Sequence, residues 1–331
     1  MESVSRLKSA IFNLKSQLEF EELSLEVFRL QYKSNAIYRK YCELLEINIS
    51  EVKNFIDIPF LPISFFKSHK ILLDESKIEE TFSSSGTASS IQSKHYISDI
   101  NLYRDSFNNS FNAFYGDVEK YCFLALLPSY LERKGSSLVY MVEEFINKSK
   151  YSNSGFFINN YQSLKDQLEY TAKNNIPTIL IGVSFGLLDF TEKMRLLNHP
   201  NLIVMETGGM KGRKNEITRE ELHKLINIAF KAKSIHSEYG MTELLSQAYS
   251  KGAGKFFSPP WMKVLIRNQD DPFSFVNNSE IGGINIIDLA NLNSCSFIQT
   301  DDLGRLNTDN SFEVIGRFDN SEIRGCNLML G

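Results

Sequence analysis

The chain has 331 residues, of which 42% are hydrophobic and 23% charged, with a net charge of −4. That length supports a large core, and a slightly acidic balance with scattered Lys and Arg argues against nucleic acid as a partner. No run approaches the roughly 20 apolar residues of a membrane span, Met1–Arg6 lacks the apolar stretch of a secretory signal, and the four cysteines show no C-x-x-C spacing, so a cytoplasmic protein without a disulfide framework is expected.

Helical spacing of Leu7, Ile11, Leu14 and Leu18, continued by Val27, Phe28 and Tyr41, predicts helices over the first fifty residues. Pro59 and Pro62, crowded by Phe60, Leu61, Ile63, Phe65 and Phe66, predict an extended, anchored connection. From residue 78 strands and helices alternate. Strands are predicted at Ile78–Phe82, His95–Ile97, Tyr121–Leu127, Phe156–Ile158, Pro177–Ile181, Leu202–Glu206 and Ile235–Tyr239. Helices are predicted at Asp99–Phe114 (closed by Gly116), Ser136–Asn147, Tyr161–Lys173, Phe185–Leu197 and from the Thr218/Glu221 capping box to Phe230. This alternation predicts an α/β fold with a largely parallel sheet flanked by helices. After Met262 the segments Val264–Arg267, Ile284–Leu289, Cys295–Gln299 and Phe312–Ile315 predict a smaller β-rich subdomain. The expected organisation is an N-terminal helical segment over 1–55, a core over 56–315, and a hinge-like tail over 316–331.

In open α/β sheets ligands bind beyond the carboxyl ends of the strands, and three candidate loops follow predicted strands. Ser83-Ser84-Ser85-Gly86-Thr87-Ala88-Ser89-Ser90 combines hydroxyls with a glycine that lets backbone amides converge on an anion, which suits nucleotide phosphates. It lacks the Gly-Lys-[Ser/Thr] ending of a Walker loop, and Ser and Gly also favour ordinary turns. Thr207-Gly208-Gly209 permits close backbone approach to a flat ring, with Lys211, Arg213 and Lys214 following. Tyr239-Gly240-Met241-Thr242-Glu243 offers Glu243 as an oxygen ligand for Mg²⁺ and Tyr239 as a base-stacking ring. Asp301 and Asp302 are adjacent, so their side chains diverge; one carboxylate suits a ribose, while two solvated acids in a turn is the simpler account. Cys326 follows Arg324, whose charge favours the thiolate. Cys42, Cys122 and Cys295 read as small buried hydrophobes, and the dispersed histidines give no metal cluster.

Taken in order, these runs resemble the adenylate-forming superfamily of acyl- and aryl-CoA ligases. Ser84-Ser85-Gly86-Thr87 is similar to its phosphate loop, Tyr239–Glu243 to its Tyr-Gly-x-Thr-Glu run, Thr300-Asp301-Asp302 to its Thr-Gly-Asp run, and Gly316-Arg317-Phe318-Asp319 to its Gly-Arg-x-Asp hinge. The resemblance implies that Tyr239, Gly240 and Thr242 line the nucleotide site and that Glu243 binds Mg²⁺. It places Asp302 on the ribose, Arg317 near the nucleotide and Thr207-Gly208-Gly209 at the adenine. Two departures stand out. Ala88-Ser89-Ser90 replaces the usual continuation of the loop, and the chain ends at Gly331, where the family continues for about 100 residues as a small mobile domain carrying a lysine. That domain is expected to be absent, with Lys211, Arg213 and Arg317 the candidate cations in its place.

Within the superfamily the chain most resembles the acyl-protein synthetase branch of LuxE type, through Ile58-Pro59-Phe60-Leu61-Pro62, Thr207-Gly208-Gly209-Met210-Lys211 and Arg324-Gly325-Cys326. That branch implies ATP-dependent activation of a carboxylic, chiefly fatty, acid. An acyl-adenylate passes its acyl group to Cys326 as a thioester, for delivery to a partner reductase or acyl carrier protein. The alternatives are an aryl- or acyl-CoA ligase using a soluble thiol, a ligase for a small biosynthetic acid, and a non-catalytic scaffold.

Overall fold

A computed structural model describes residues 2–73, 77–85, 91–193, 198–208 and 218–318. Its elements in chain order begin with α1 (Glu2–Ile11), α2 (Gln17–Ser34), α3 (Ala36–Leu44), β1 (Leu61–Pro62) and α4 (Phe65–Ser68). Next come β2 (Glu80–Ser83), β3 (Lys94–Ile97), α5 (Ile100–Tyr115), β4 (Cys122–Leu126), α6 (Ser137–Lys148), β5 (Gly155–Phe156), α7 (Tyr161–Lys173), β6 (Thr178–Val183) and α8 (Ser184–Lys193). The last are β7 (Leu202–Thr207), α9 (Arg219–Phe230), β8 (Ile235–Tyr239), β9 (Ala248–Ser250), β10 (Met262–Arg267), β11 (Gly282–Asp288), β12 (Phe297–Leu306) and β13 (Phe312–Arg317).

Two larger sheets organise the molecule, beside the antiparallel pair β2-β3. The first has the order β5-β4-β6-β7-β8-β9, parallel except for the edge strand β9. Its central strands are buried on both faces, as a helix-covered parallel sheet requires. Along β4, Phe123 and Ala125 face one core with α5 and α6, while Cys122, Leu124 and Leu126 face another with α7, α8 and α9. The second sheet has the order β1-β12-β11-β10, with β13 also paired to β12. Its apolar face joins the larger core, where Phe28, Tyr38 and Phe297 form a ring cluster with centroids about 6.2 Å apart. The helices start where their caps dictate: the side chains of Asp99, Ser136, Asn160 and Thr218 each accept an otherwise unpaired amide of the first turn. Among the described residues no helix is long and apolar enough to cross a membrane.

The N-terminal helices are tied to the second sheet by buried polar groups. Gln31 of α2 donates through Nε2 to the carbonyls of Asn291 and Leu292, and its Oε1 accepts from the Ser296 amide. Asn35 caps α3 and donates to Ser294 O.

The mixed α/β fold matches the sequence expectation. The structure differs in places, among them the helix α4 at the end of the segment expected to be extended. β9 was not predicted, because three residues are too short for a pattern to register. Asp301 and Asp302, for which two solvated acids in a turn was the simpler account, lie inside the ten-residue strand β12. Asp302 is only 6% exposed there, its carboxylate held by one side-chain donor on each oxygen.

β12 and β13 approach closely at Gly304. A Cβ there would lie 2.3 Å from Glu313 O and 2.7 Å from Ile284 Cδ1, at a shift in the strand register. Gly304→Ala is therefore expected to lower stability by about 1–3 kcal/mol, the usual effect of an added methyl in a packed site. Urea unfolding measures it, and an unchanged midpoint would refute the packing account.

Candidate active site

The site forms where the parallel strands end. β7 delivers Glu206 and Thr207, and β8 delivers Glu238, in register with Thr207, and then Tyr239. Across from these ends, β12 presents Asp302 and β13 presents Arg317, which pair directly. The Asp302 carboxylate joins the two sheets: Oδ2 accepts from the Tyr239 hydroxyl at 2.8 Å, and Oδ1 accepts from Arg317 Nε at 2.8 Å. The Asp302 side chain is buried while Arg317 is mostly exposed, so the guanidinium lies over the carboxylate on its solvent side. Burial pushes the Tyr239 hydroxyl well above the ordinary phenol range, and the Asp302 charge adds to this, so it stays a proton donor. The Tyr239 ring packs against Phe256 and Phe312 at 5.8 and 5.4 Å.

The loop after β8 carries Gly240, Thr242 and Glu243. It is braced from beneath by Asp288, which is wholly buried and accepts from the amides of Leu245 and Ser246 and from the Ser246 hydroxyl. Closer to the motif, His95 Nδ1 lies 2.9 Å from Thr242 O, and Asn291 Nδ2 donates to Glu243 O at 2.7 Å. The Glu243 carboxyl is buried, which raises its pKa, and the Ser93 hydroxyl opposes that rise by hydrogen bonding to it. Ser93 also closes the serine loop: the Ser84 amide donates to Ser93 O, and the Ser93 amide donates to Ser84 Oγ, both at 3.0 Å. Ser83 donates its amide to Gly135 O. The base of the serine loop and Glu243 are thus linked through one residue.

Ser83, Ser84, Ser85, Thr207, Gly208, Tyr239, Gly240, Thr242, Glu243, Asp302 and Arg317 are all described. Tyr239, Asp302 and Arg317 are brought into one hydrogen-bonded group, and Ser84 and Glu243 are joined through Ser93. Gly86, Thr87, Gly209, Lys211, Arg213 and Cys326 lie outside the described residues. Gly208 adopts φ 65°, the left-handed conformation that a glycine after a strand supplies. The other cysteines are buried as expected, and among the described residues no group of His, Cys, Asp and Glu gathers three metal ligands.

Sequence reasoning missed Glu238. Its Oε2 accepts from the Thr207 hydroxyl, and its Oε1 lies where a Cβ on Gly240 would clash at 2.4 Å. The only signal was its place, just ahead of Tyr239. Burial pushes the Glu238 carboxyl up to about 7; the Thr207 hydroxyl works against this and the Glu206 charge adds to it. Because the folded-state pKa is raised, the unfolded chain releases this proton first. Stability is then lost as pH rises from the unfolded value, about 4.3, to about 7. Glu238→Gln removes that loss. Relative to wild type, the variant is expected to gain about 2 kcal/mol between pH 5 and pH 8. Urea unfolding at both pH values is the check, and a pH-independent difference would exclude a strongly shifted carboxyl.

A family model described as acyl-protein synthetase, LuxE matches residues 11–331. A long-chain-fatty-acid–luciferin-component ligase of Photorhabdus luminescens is 41% identical over 70 residues, 20% of this chain and 58% of that protein. A protein of the same description from Vibrio harveyi is 22% identical over 327 residues, 92% of this chain and 85% of its own length. Among solved structures, 2-hydroxyisobutyryl-CoA ligase in complex with 2-HIB-AMP and CoA in the thioesterification state superposes with a TM-score of 0.67. It is 13% identical, and the match covers 96% of this chain and 74% of that one. ATP-bound MatB from Rhodopseudomonas palustris gives a TM-score of 0.55 at 14% identity over 72% of this chain, which spans about half, 47%, of MatB. These likenesses establish the fold of the adenylate-forming ligases, and the family match extends over nearly the whole sequence. The chain belongs to the acyl-protein synthetase, LuxE family.

Proposed function

We propose that this protein activates a long-chain fatty acid with ATP and transfers the acyl group to its own Cys326 for delivery to a partner reductase or acyl carrier protein. The observation that carries this reading is the convergence of three separated motifs on the Asp302 carboxylate, in a chain of the LuxE family. Tyr239 and Arg317 orient that carboxylate while leaving each oxygen a second lone pair. It is therefore suited to accept from the two hydroxyls of a ribose. The names of the relatives from Photorhabdus luminescens and Vibrio harveyi supply the acid class.

In the first step a carboxylate oxygen of the acid attacks the α-phosphorus of ATP. The bond to the bridging oxygen breaks and pyrophosphate leaves. In the second step the Cys326 thiolate attacks the acyl carbon, the carbon–oxygen bond to AMP breaks, and AMP departs with the electron pair. The thiol proton goes to solvent when the thiolate forms. One difficult transfer becomes two easier ones. The serine loop is the part proposed to take the phosphates, and Ser84 and Ser93 bond to each other at its base.

Mg²⁺ fits Glu243. A buried carboxyl whose ionised form is penalised gains from a nearby cation, and Mg²⁺ on nucleotide phosphates needs only one or two protein carboxylates. When bound, the ion supplies charge neutralisation at the phosphates. Around it, this chain's residues set the geometry: Ser93 holds the Glu243 carboxyl, Asp302 takes the ribose, and Arg317 offers positive charge at the solvent edge.

Two measurements test the reading. Intact-mass analysis after incubation with ATP, Mg²⁺ and fatty acids is expected to reveal one acyl adduct. The adduct should require ATP, be released by hydroxylamine and be missing from Cys326→Ser; an ATP-dependent adduct that persists in Cys326→Ser would move the acceptor elsewhere. Pyrophosphate exchange without any adduct would instead favour a soluble thiol as acceptor. Asp302→Ala is expected to weaken ATP binding about tenfold or more, the loss of a charged hydrogen-bonding group. Calorimetry with unchanged affinity would remove Asp302 from the nucleotide site.

A further inference from the structure

The chain from Tyr239 to Ser246 is pinned at both ends. Asp302 holds Tyr239, and Asp288 holds the amides of Leu245 and Ser246. Between these anchors two side chains outside every sequence motif grip consecutive carbonyls. His95 on β3 is 1% exposed and donates from Nδ1 to Thr242 O at 2.9 Å. Asn291, wholly buried in the turn after β11, donates from Nδ2 to Glu243 O at 2.7 Å.

Each side chain makes that bond at a cost. His95 Nε2 and Asn291 Oδ1 are buried polar atoms with no hydrogen-bond partner among the described residues. A polar atom left this way is unfavourable, whereas an apolar side chain of similar size fills the space without it. Both residues also border a small pocket of about 10 Å³, room for about one water, beside Leu245 and Ser294. The two hydrogen bonds restrain the loop from that flank. Burial lowers the His95 pKa to about 4, so the ring is neutral, with its proton on the nitrogen facing Thr242. Two such arrangements at adjacent carbonyls serve the placement of those residues better than they serve stability.

We infer that His95 and Asn291 are positioning residues that fix the Thr242 hydroxyl and the Glu243 carboxylate for the ATP-dependent reaction proposed above, a reading on which this inference rests. Neither is assigned a contact with substrate. Their action runs through the backbone of the loop.

The test uses full-length His95→Phe, Asn291→Leu and the conservative His95→Gln, which keeps an N–H donor. Hydrogen–deuterium exchange of peptides covering 240–246 reads the restraint without reference to activity. Exchange is expected to rise about tenfold in His95→Phe and Asn291→Leu, and to return toward wild type in His95→Gln. In ATP–pyrophosphate exchange, the first two variants are expected to lose about 10- to 100-fold in kcat. Half-saturation by Mg²⁺ should move to higher concentration, while KM for the acid stays within about twofold. If His95→Phe does not fold, Asn291→Leu carries both readouts. Unchanged loop exchange in a folded variant overturns the inference, as does an unchanged kcat with an unchanged Mg²⁺ requirement. A wild-type protein with no pyrophosphate exchange overturns the proposed function instead, and the loop exchange then decides the inference alone.

Discussion

The Asp302 carboxylate is the point at which the two sheets meet. An ionised acid inside a strand is unfavourable unless its oxygens are satisfied. Here one oxygen belongs to the parallel sheet, through Tyr239, and the other to the antiparallel sheet, through Arg317. The pairing explains why a strand can run through an acidic pair without a break. It also explains why Tyr239, Asp302 and Arg317 act as one unit although 78 positions separate the first from the last. Loss of Tyr239 or Arg317 leaves one oxygen of the buried carboxylate without its side-chain donor, and loss of Asp302 takes the acceptor from the buried Tyr239 hydroxyl.

A second constraint concerns how little of the site is built by the residues that do its chemistry. The loop carrying Thr242 and Glu243 has few internal bonds. Its form comes from Asp288, Asn291 and His95, contributed by the second sheet and by the hairpin of β2 and β3. Arg267 plays a similar part on the other side. It is buried, donates to Ile284 O, Asn285 Oδ1 and Thr300 O, and so holds β10, β11 and β12 in register just before Asp302. Burial lowers its pKa to about 10, so it still carries its charge at neutral pH.

Much of this fold was legible in the sequence because alternating strands and helices leave periodic signals, and because Gly116, Thr218 and Tyr161–Lys173 mark their boundaries plainly. The motif residues were legible for another reason: their order along the chain is distinctive even where each run alone is ordinary. What was not legible shares one property. Glu238, His95 and Asn291 are single polar residues whose meaning depends on partners far away in the chain. His95 meets Thr242 across 147 positions, and Asn291 meets Glu243 across 48. Local spacing carries no trace of such pairs. The burial of Asp302 left no local signal for the same reason, since it depends on Tyr239 and Arg317.

The grip of Gln31 on Asn291 and Leu292 has a consequence for biosynthesis. These bonds join positions 260 and 261 residues apart, so α2 cannot reach its final seat until Leu292 has left the ribosome. Until then the side of α2 that carries Phe20, Val27, Phe28 and Gln31 has no second sheet to cover it. Nascent chains of this protein therefore carry part of this apolar face without its sheet while the intervening 260 residues are made, a condition under which chaperone capture competes with aggregation.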